Sequence, residues 1–127
     1  MEKLQLREEI LSRMELPVIA DRQYSVQEFG VVPDSEEIQT VFLQKAIDTV
    51  NEQGGGRIVF PSGSYRTGAL HLKSGVELHL ESADTVLKFV NEEVSLHYPL
   101  VFSHWEATPC YNFSPLIYAC DAHDISV

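Results

Sequence analysis

Two rhythms of hydrophobic and polar residues run along this chain. Over residues 36–53, Ile38, Val41, Phe42, Ala46, Ile47 and Val50 recur at helical spacing, which predicts an amphipathic helix with one apolar face. Asp34 stands where an N-cap belongs, and Glu37 follows three residues later in the pattern of a capping box. A shorter helix is expected over 2–14, where Leu4, Leu6, Ile10, Leu11 and Met14 form an uneven stripe that Pro17 closes off. Between the two, "QYSVQEF" reads as a strand, with Tyr24 and Val26 set against Ser25 and Gln27.

After residue 53 the rhythm changes. Gly54-Gly55-Gly56 lead into the β-branched and aromatic run "RIVF", so the order is helix, glycines, strand. Phosphate cradles have the reverse order, in which a strand feeds the glycines and the next helix points its positive end at the anion. No glycine stands before Lys73-Ser74 as a Walker motif requires. The triplet therefore reads as a helix C-cap and a tight turn into a strand.

Downstream, "LHLKSG" starts at Leu70, "LHLESA" at Leu78 and "VLKF" at Val86, a spacing of eight. Leucines alternate with His71 or His79, giving each strand one apolar and one wet side. Three short strands with tight corners and no intervening helix fit one turn, about 24 residues long, of a stacking coil, the pattern of a parallel β-helix. A meander of antiparallel hairpins is the competing arrangement, disfavoured by the lack of Asn-Gly or Asp-Gly corners. Residues 91–115 break the rhythm and are expected to form a long loop, with strands resuming at 116–119 and 124–127. The sequence stops in mid-strand, so an open last coil, with self-association through it, is expected.

Length and composition fit a single domain with a modest core. Nine basic against nineteen acidic residues give a net charge of -10, which weighs against nucleic acid and anionic membranes as partners. No apolar run reaches the length of a signal peptide or a membrane span, so a cytoplasmic home is expected, with Cys110 and Cys120 as free thiols. The histidines at 71, 79, 97, 104 and 123 lack the spacing of a zinc site and no EF-hand pattern is present, so no metal or cofactor is expected.

The stretches "FGVVPDSEEIQTVFLQKAID", "GGGRIVFPSGSYRTGALHLKSGVELHLES" and "HWEATPCYNFSPLIYACDAHDIS" are collinear. Together, over about residues 25–127, they resemble the N-terminal portion of the polygalacturonase-like glycoside hydrolases, family 28 of the pectin lyase-like superfamily. That resemblance implies a mainly β fold: the first few coils of a right-handed parallel β-helix, with the 36–53 helix capping the first. Residues 1–22 would be a helical extension, and 23–127 the N-terminal part of a β-helix domain truncated at its C-terminal end. The implied activity is inverting hydrolysis of α-1,4-galacturonosyl links in pectic oligosaccharides, by carboxyl groups roughly 6.5–9.5 Å apart. The family's Asn-Thr-Asp, Asp-Asp, His-Gly and Arg-Ile-Lys signatures are all absent. No catalytic residue is carried over, and the chain alone is expected to be inactive, a non-catalytic carbohydrate-binding or oligomerising module being the alternative.

His104, Trp105, Glu106, Tyr111 and Asn112 are the candidate sugar-binding residues, because they join aromatic surface to polar groups. The rival role for Trp105 and Tyr111 is to pin the loop to the wall of the stack. Lys73 and Arg66 are available for a substrate carboxylate or for ordinary salt bridges. Asp121 and Asp124 suit backbone-capping corners, and Glu77 and Glu81 flank His79 on a solvated face.

Overall fold

The computed structural model describes residues 2–127; Met1, the first residue of the expected extension, lies outside them. Helix α1 (Glu2–Arg13) forms as the stripe predicts, with Arg13 reaching Glu9 one turn back at 2.5 Å. Its apolar residues Leu4, Leu6, Ile10 and Leu11 stay exposed.

Strand β1 (Gln23–Ser25) is shorter than expected. Residues Val26–Phe29 wind into a 3₁₀ turn, in which Ser25 Oγ accepts from the Gln27 amide and Glu28 accepts from the Ser25 amide at 2.6 Å. The capping box is therefore here and not at Asp34. Asp34 instead sits at φ 59° and exchanges hydrogen bonds with Ser64, accepting its amide proton at 2.9 Å and donating its own at 2.8 Å. Helix α2 (Thr40–Glu52) starts later than the periodicity predicts, because Ile38 bridges to Arg66 in parallel and the Gln39 amide donates to Arg66 O. Its buried face is Leu43, Ala46, Ile47 and Val50.

The rest of the core winds. Strands β2 (Gly56–Phe60), β3 (Gly63–Thr67) and β4 (Leu70–His71) run in succession, and β5 (Val76–Leu80) then lies parallel beside β2. Strand β6 (Thr85–Phe89) lies parallel beside β3. Gly56 pairs with Val76 and Gly63 with Thr85, so the winding repeats at 20 and 22 residues, tighter than the expected turn. The three segments spaced by eight fall on β4, β5 and β6, one on each of three sheets. Inside the winding, Ile58, Phe60, Tyr65, Leu70, Val76 and Leu78 are almost wholly buried, each such side chain contributing about 1.5–3 kcal/mol.

The expected loop at 91–115 is structured. After the short helix α3 (Val94–His97), strands β7 (Leu100–Trp105) and β8 (Thr108–Phe113) pair as an antiparallel hairpin. The chain then returns through β9 (Ile117–Tyr118), which pairs parallel with β4, and Ser126 bridges to Glu77. Antiparallel pairing is confined to this hairpin among the described residues.

Strand β1 pairs parallel with β2, and helix α2 lies along the edge of the first winding at residues 68–74. Thr40 Oγ1 accepts from the Gly68 amide at 2.6 Å, Asp48 pairs with Lys73 at 2.9 Å, and Asn51 Nδ2 donates to Ser74 O at 2.8 Å. Between them Gln44 accepts from the His71 amide through Oε1 and donates to His71 O through Nε2, both at 2.9 Å. Leu70 and Leu72 donate to Leu116 O and Tyr118 O, so the His71 peptide groups face the side with no strand neighbour, and the Gln44 amide takes a strand's place. Gln39 clamps Val32 in the same way, at 2.7 and 2.9 Å. The glycine turn that follows is required: Gly55 has φ 94°, its amide donates to Val50 O, and a Cβ there would stand 2.6 Å from Gly75 O.

The His71 ring is half-buried, and burial pushes its pKa below the ordinary 6.5, partly countered by Asp48. Ser114 donates its hydroxyl proton to Pro115 O at 2.9 Å, so His71 Nε2–H is the donor in the 3.1 Å contact with Ser114 Oγ.

Two stability predictions follow from these contacts. Gln44→Ala leaves two peptide groups without their partner and is expected to lower unfolding free energy by about 1–3 kcal/mol in urea titrations. Gly55→Ala should cost at least about 1 kcal/mol, since the obstructing atom is backbone. The folded state binds a proton at His71 less readily than the unfolded chain does. The stabilisation is thus full above about pH 6.5 and falls as pH drops through the depressed folded value. Stability measured across that window should slope less in His71→Gln than in the native chain, and equal slopes would remove His71 as the cause.

Candidate functional site

The five candidate sugar-binding residues all lie on the hairpin. Trp105 pairs with Thr108 across a two-residue turn, Glu106-Ala107, whose φ values of 46° and 64° give the positive pair a type I′ turn needs. Asn-Gly is the usual sequence for this turn, so Glu-Ala gave no hairpin signal.

Strand pairing divides the five. Residues directly opposite in an antiparallel pair share a face and successive residues alternate. Leu100 with Phe113, Phe102 with Tyr111 and His104 with Pro109 make one face; Val101 with Asn112, Ser103 with Cys110 and Trp105 with Thr108 make the other. His104 and Tyr111 therefore stand together, Trp105 and Asn112 stand on the reverse side, and Glu106 is in the turn. Phe102 joins the first pair, with ring centroids 5.3 Å from His104 and 5.9 Å from Tyr111, both edge-on. Phe102 lies in the segment whose broken rhythm predicts a loop; alternation in "LVFSHW" and "TPCYNF" is the signal that finds it. Trp105 is 67% and Tyr111 73% exposed, so neither pins the hairpin to the stack. Asn112 Oδ1 accepts from the Phe113 amide at 2.8 Å, which leaves its amide nitrogen for a ligand.

The hairpin is anchored at its root. Tyr98 is buried and donates its hydroxyl proton to Val90 O at 2.5 Å, the Ser114 amide donates to Pro99 O at 2.8 Å, and the Ala69 amide donates to His97 O at 3.0 Å. Tyr118 donates its hydroxyl proton to Phe102 O at 3.2 Å.

Below the root runs an open groove of about 870 Å³ between α2 and residues 96–99, floored by Ala69 and His71. Lys45, Lys73 and His97 line it with the exposed aliphatic side chains of Val41 and Leu96.

The remaining candidates are tied into the structure. Arg66 donates to Glu36 O and pairs with Glu92 at 2.7 Å, while Lys73 pairs with Asp48. Glu77 does more than face solvent, since Arg57 meets it at 2.6 Å. Asp121 and Asp124 occupy left-handed corners at φ 51° and 55°. Asp124 accepts from the Val18 amide and contacts His123 Nδ1, both at 2.9 Å, and these contacts hold its carboxyl below the usual range, the Val18 bond most. Cys110 and Cys120 are free thiols. Among the described residues no group of three or more His, Cys, Asp or Glu side chains is arranged to hold a metal ion, and no helix is long and apolar enough to cross a membrane.

No family model matches the chain. Its structure is similar to that of a hyperthermoactive exopolygalacturonase from Thermotoga maritima, with a TM-score of 0.82 and 34% identity over 95% of this chain and 26% of that one. In sequence it is 36% identical over 78 residues to alginate lyase 7 of Azotobacter vinelandii, a match covering 54% of this chain and 9% of that protein. It is 38% identical over 63 residues to the exo-poly-alpha-D-galacturonosidase of Dickeya chrysanthemi, covering 50% of this chain and 10% of that protein. The chain thus spans about a tenth of these two curated relatives and about a quarter of the exopolygalacturonase. In sequence and in structure, what this chain resembles is the N-terminal portion of the polygalacturonase-like glycoside hydrolases.

Proposed function

We propose that this chain supplies the N-terminal coils of a polygalacturonase-like glycoside hydrolase of the cytoplasm, acting on pectic oligosaccharides by inverting hydrolysis. The observation that carries this reading is the 0.82 TM-score at 34% identity to an exopolygalacturonase, sustained over nearly the whole chain. In this reading the three parallel sheets are the first windings of a right-handed β-helix, and α2 is their end cap.

The chain's own part is to hold the fold and to grip substrate. Its central carboxylates already face cations: Glu77 meets Arg57, Asp48 meets Lys73 and Glu92 meets Arg66. Inverting hydrolysis needs one carboxyl kept protonated and a second free to activate water, and no such division exists among these groups. The hairpin suits binding better. Exposed rings accept the C–H faces of a sugar, while His104, Glu106 and the Asn112 amide can meet hydroxyl groups at the edge.

The isolated chain is expected to release no reducing ends from polygalacturonate, whereas a longer protein carrying further coils with the aspartate signatures should release them. Hydrolysis by the isolated chain would overturn the assignment. Calorimetric titration with trigalacturonate should show weaker binding for Trp105→Ala or Tyr111→Ala, by roughly two- to tenfold for loss of one stacking ring. Because the two rings lie on opposite faces, the variant that loses affinity identifies the face the sugar uses. Unchanged affinity in both would remove the hairpin from the binding site. Binding without hydrolysis even in the longer protein would favour a carbohydrate-binding module.

A further inference from the structure

We infer that the groove between α2 and residues 96–99 is a second binding site, separate from the hairpin, for a short oligouronate. The inference takes its ligand class from the hydrolase reading above, but the groove's own chemistry selects a carboxylate-bearing sugar over a neutral one.

The volume of about 870 Å³ lies within the ~300–1,000 Å³ typical of ligand clefts. Val41 and Leu96, both lining the groove, are 78% and 70% exposed. With Ala69 and Pro99 they offer an apolar surface to the C–H face of a pyranose ring.

Cations supply the second element. Lys45 is exposed and has no carboxylate within salt-bridge distance among the described residues, unlike Arg13, Arg57, Arg66 and Lys73. The His97 ring makes no hydrogen bond among the described residues, although its backbone oxygen is used by Ala69. Lys73 and Asp48, the one carboxylate lining the groove, pair with each other at 2.9 Å and leave Lys45 as the unpaired charge. On a chain of net charge -10, a groove whose one unpaired formal charge among its described lining residues is that of Lys45 is a local reversal of sign. An oligouronate has the matching pattern, with an apolar ring face and one carboxylate on every unit.

The groove ends at Pro99, where the hairpin begins at Leu100, so the two sites can be separated residue by residue. Amide shifts recorded by heteronuclear NMR on the isotope-labelled chain provide the test, with digalacturonate and neutral galactobiose as probes. Digalacturonate is expected to give saturable shifts at residues 40–48, 69–73 and 96–98, and galactobiose none there. Lys45→Glu should weaken that response at least fivefold while Lys45→Arg retains it; Lys45 is exposed, so neither change disturbs the core. Equal response to the two sugars, an unaltered response in Lys45→Glu, or no groove shifts at all would each overturn the inference. Shifts confined to 100–113 would overturn it while leaving the hairpin site standing. Hydrolysis by the longer protein is measured independently, so failure of the enzyme assignment is distinguishable from failure of this one.

Discussion

A parallel winding of short strands has a first edge, and the peptide groups along that edge must find partners or remain in water. Here the edge is shared: β1 pairs parallel with β2, residues 34–39 bond to β3, and α2 serves residues 68–74. Thr40, Gln44, Asp48 and Asn51 recur every three or four residues along α2 and engage Gly68, His71, Lys73 and Ser74 in order. On the adjoining face Leu43, Ala46, Ile47 and Val50 close over the apolar interior of the winding. An amphipathic helix covers an open sheet end both apolar and polar requirements at once, and an unpaired strand edge that would invite another chain is blunted.

The same cap determines where the surface features lie. Because α2 crosses at residues 68–74, it stands opposite the segment that leaves the stack after β6, and the gap between them is the groove. That departing segment is fixed at its base by Tyr98, Pro99 and Ser114 and by the β4–β9 pairing. Beyond the base it is held chiefly by its own antiparallel ladder, with the contact from Tyr118 to Phe102 along one side. A firmly rooted hairpin with an exposed tip combines a defined position with accessible aromatic surface.

Much of this arrangement was legible in the sequence, for reasons that differ by element. Periodicity finds Ala46, Ile47 and Val50 of the buried face of α2, but Val41 and Phe42 are exposed and Leu43, outside the predicted stripe, is buried; the glycines at 54–56 act as the turn their order implies. Asp121 and Asp124 occupy corners in the left-handed conformation that aspartate tolerates. The start of α2 was illegible because tertiary pairing of Ile38 with Arg66 displaces it, freeing Asp34 to cap Ser64 instead. "VQEF" resembles a strand in its alternation, yet Ser25 and Glu28 form a local capping box that turns it into a 3₁₀ segment. Glu106-Ala107 hides a hairpin, since neither residue favours positive φ. The distribution of candidate residues over two faces then follows from strand parity alone, which becomes available once the hairpin is recognised.

Binding and bond cleavage place different demands on acidic and basic groups, and this chain satisfies one set. A general acid must be a carboxyl sheltered from neighbouring cations so that it keeps its proton at neutral pH. Glu77, Asp48 and Glu92 are each within ion-pair distance of a lysine or arginine, and Asp124 is held in its charged form by the Val18 amide and His123. A binding surface for an acidic sugar needs the converse: cations without partners beside apolar walls. Lys45 beside Val41 and Leu96 has that arrangement, and the exposed rings of the hairpin add aromatic surface. Under the proposed function, these residues grip a polyuronate and leave its cleavage to further coils.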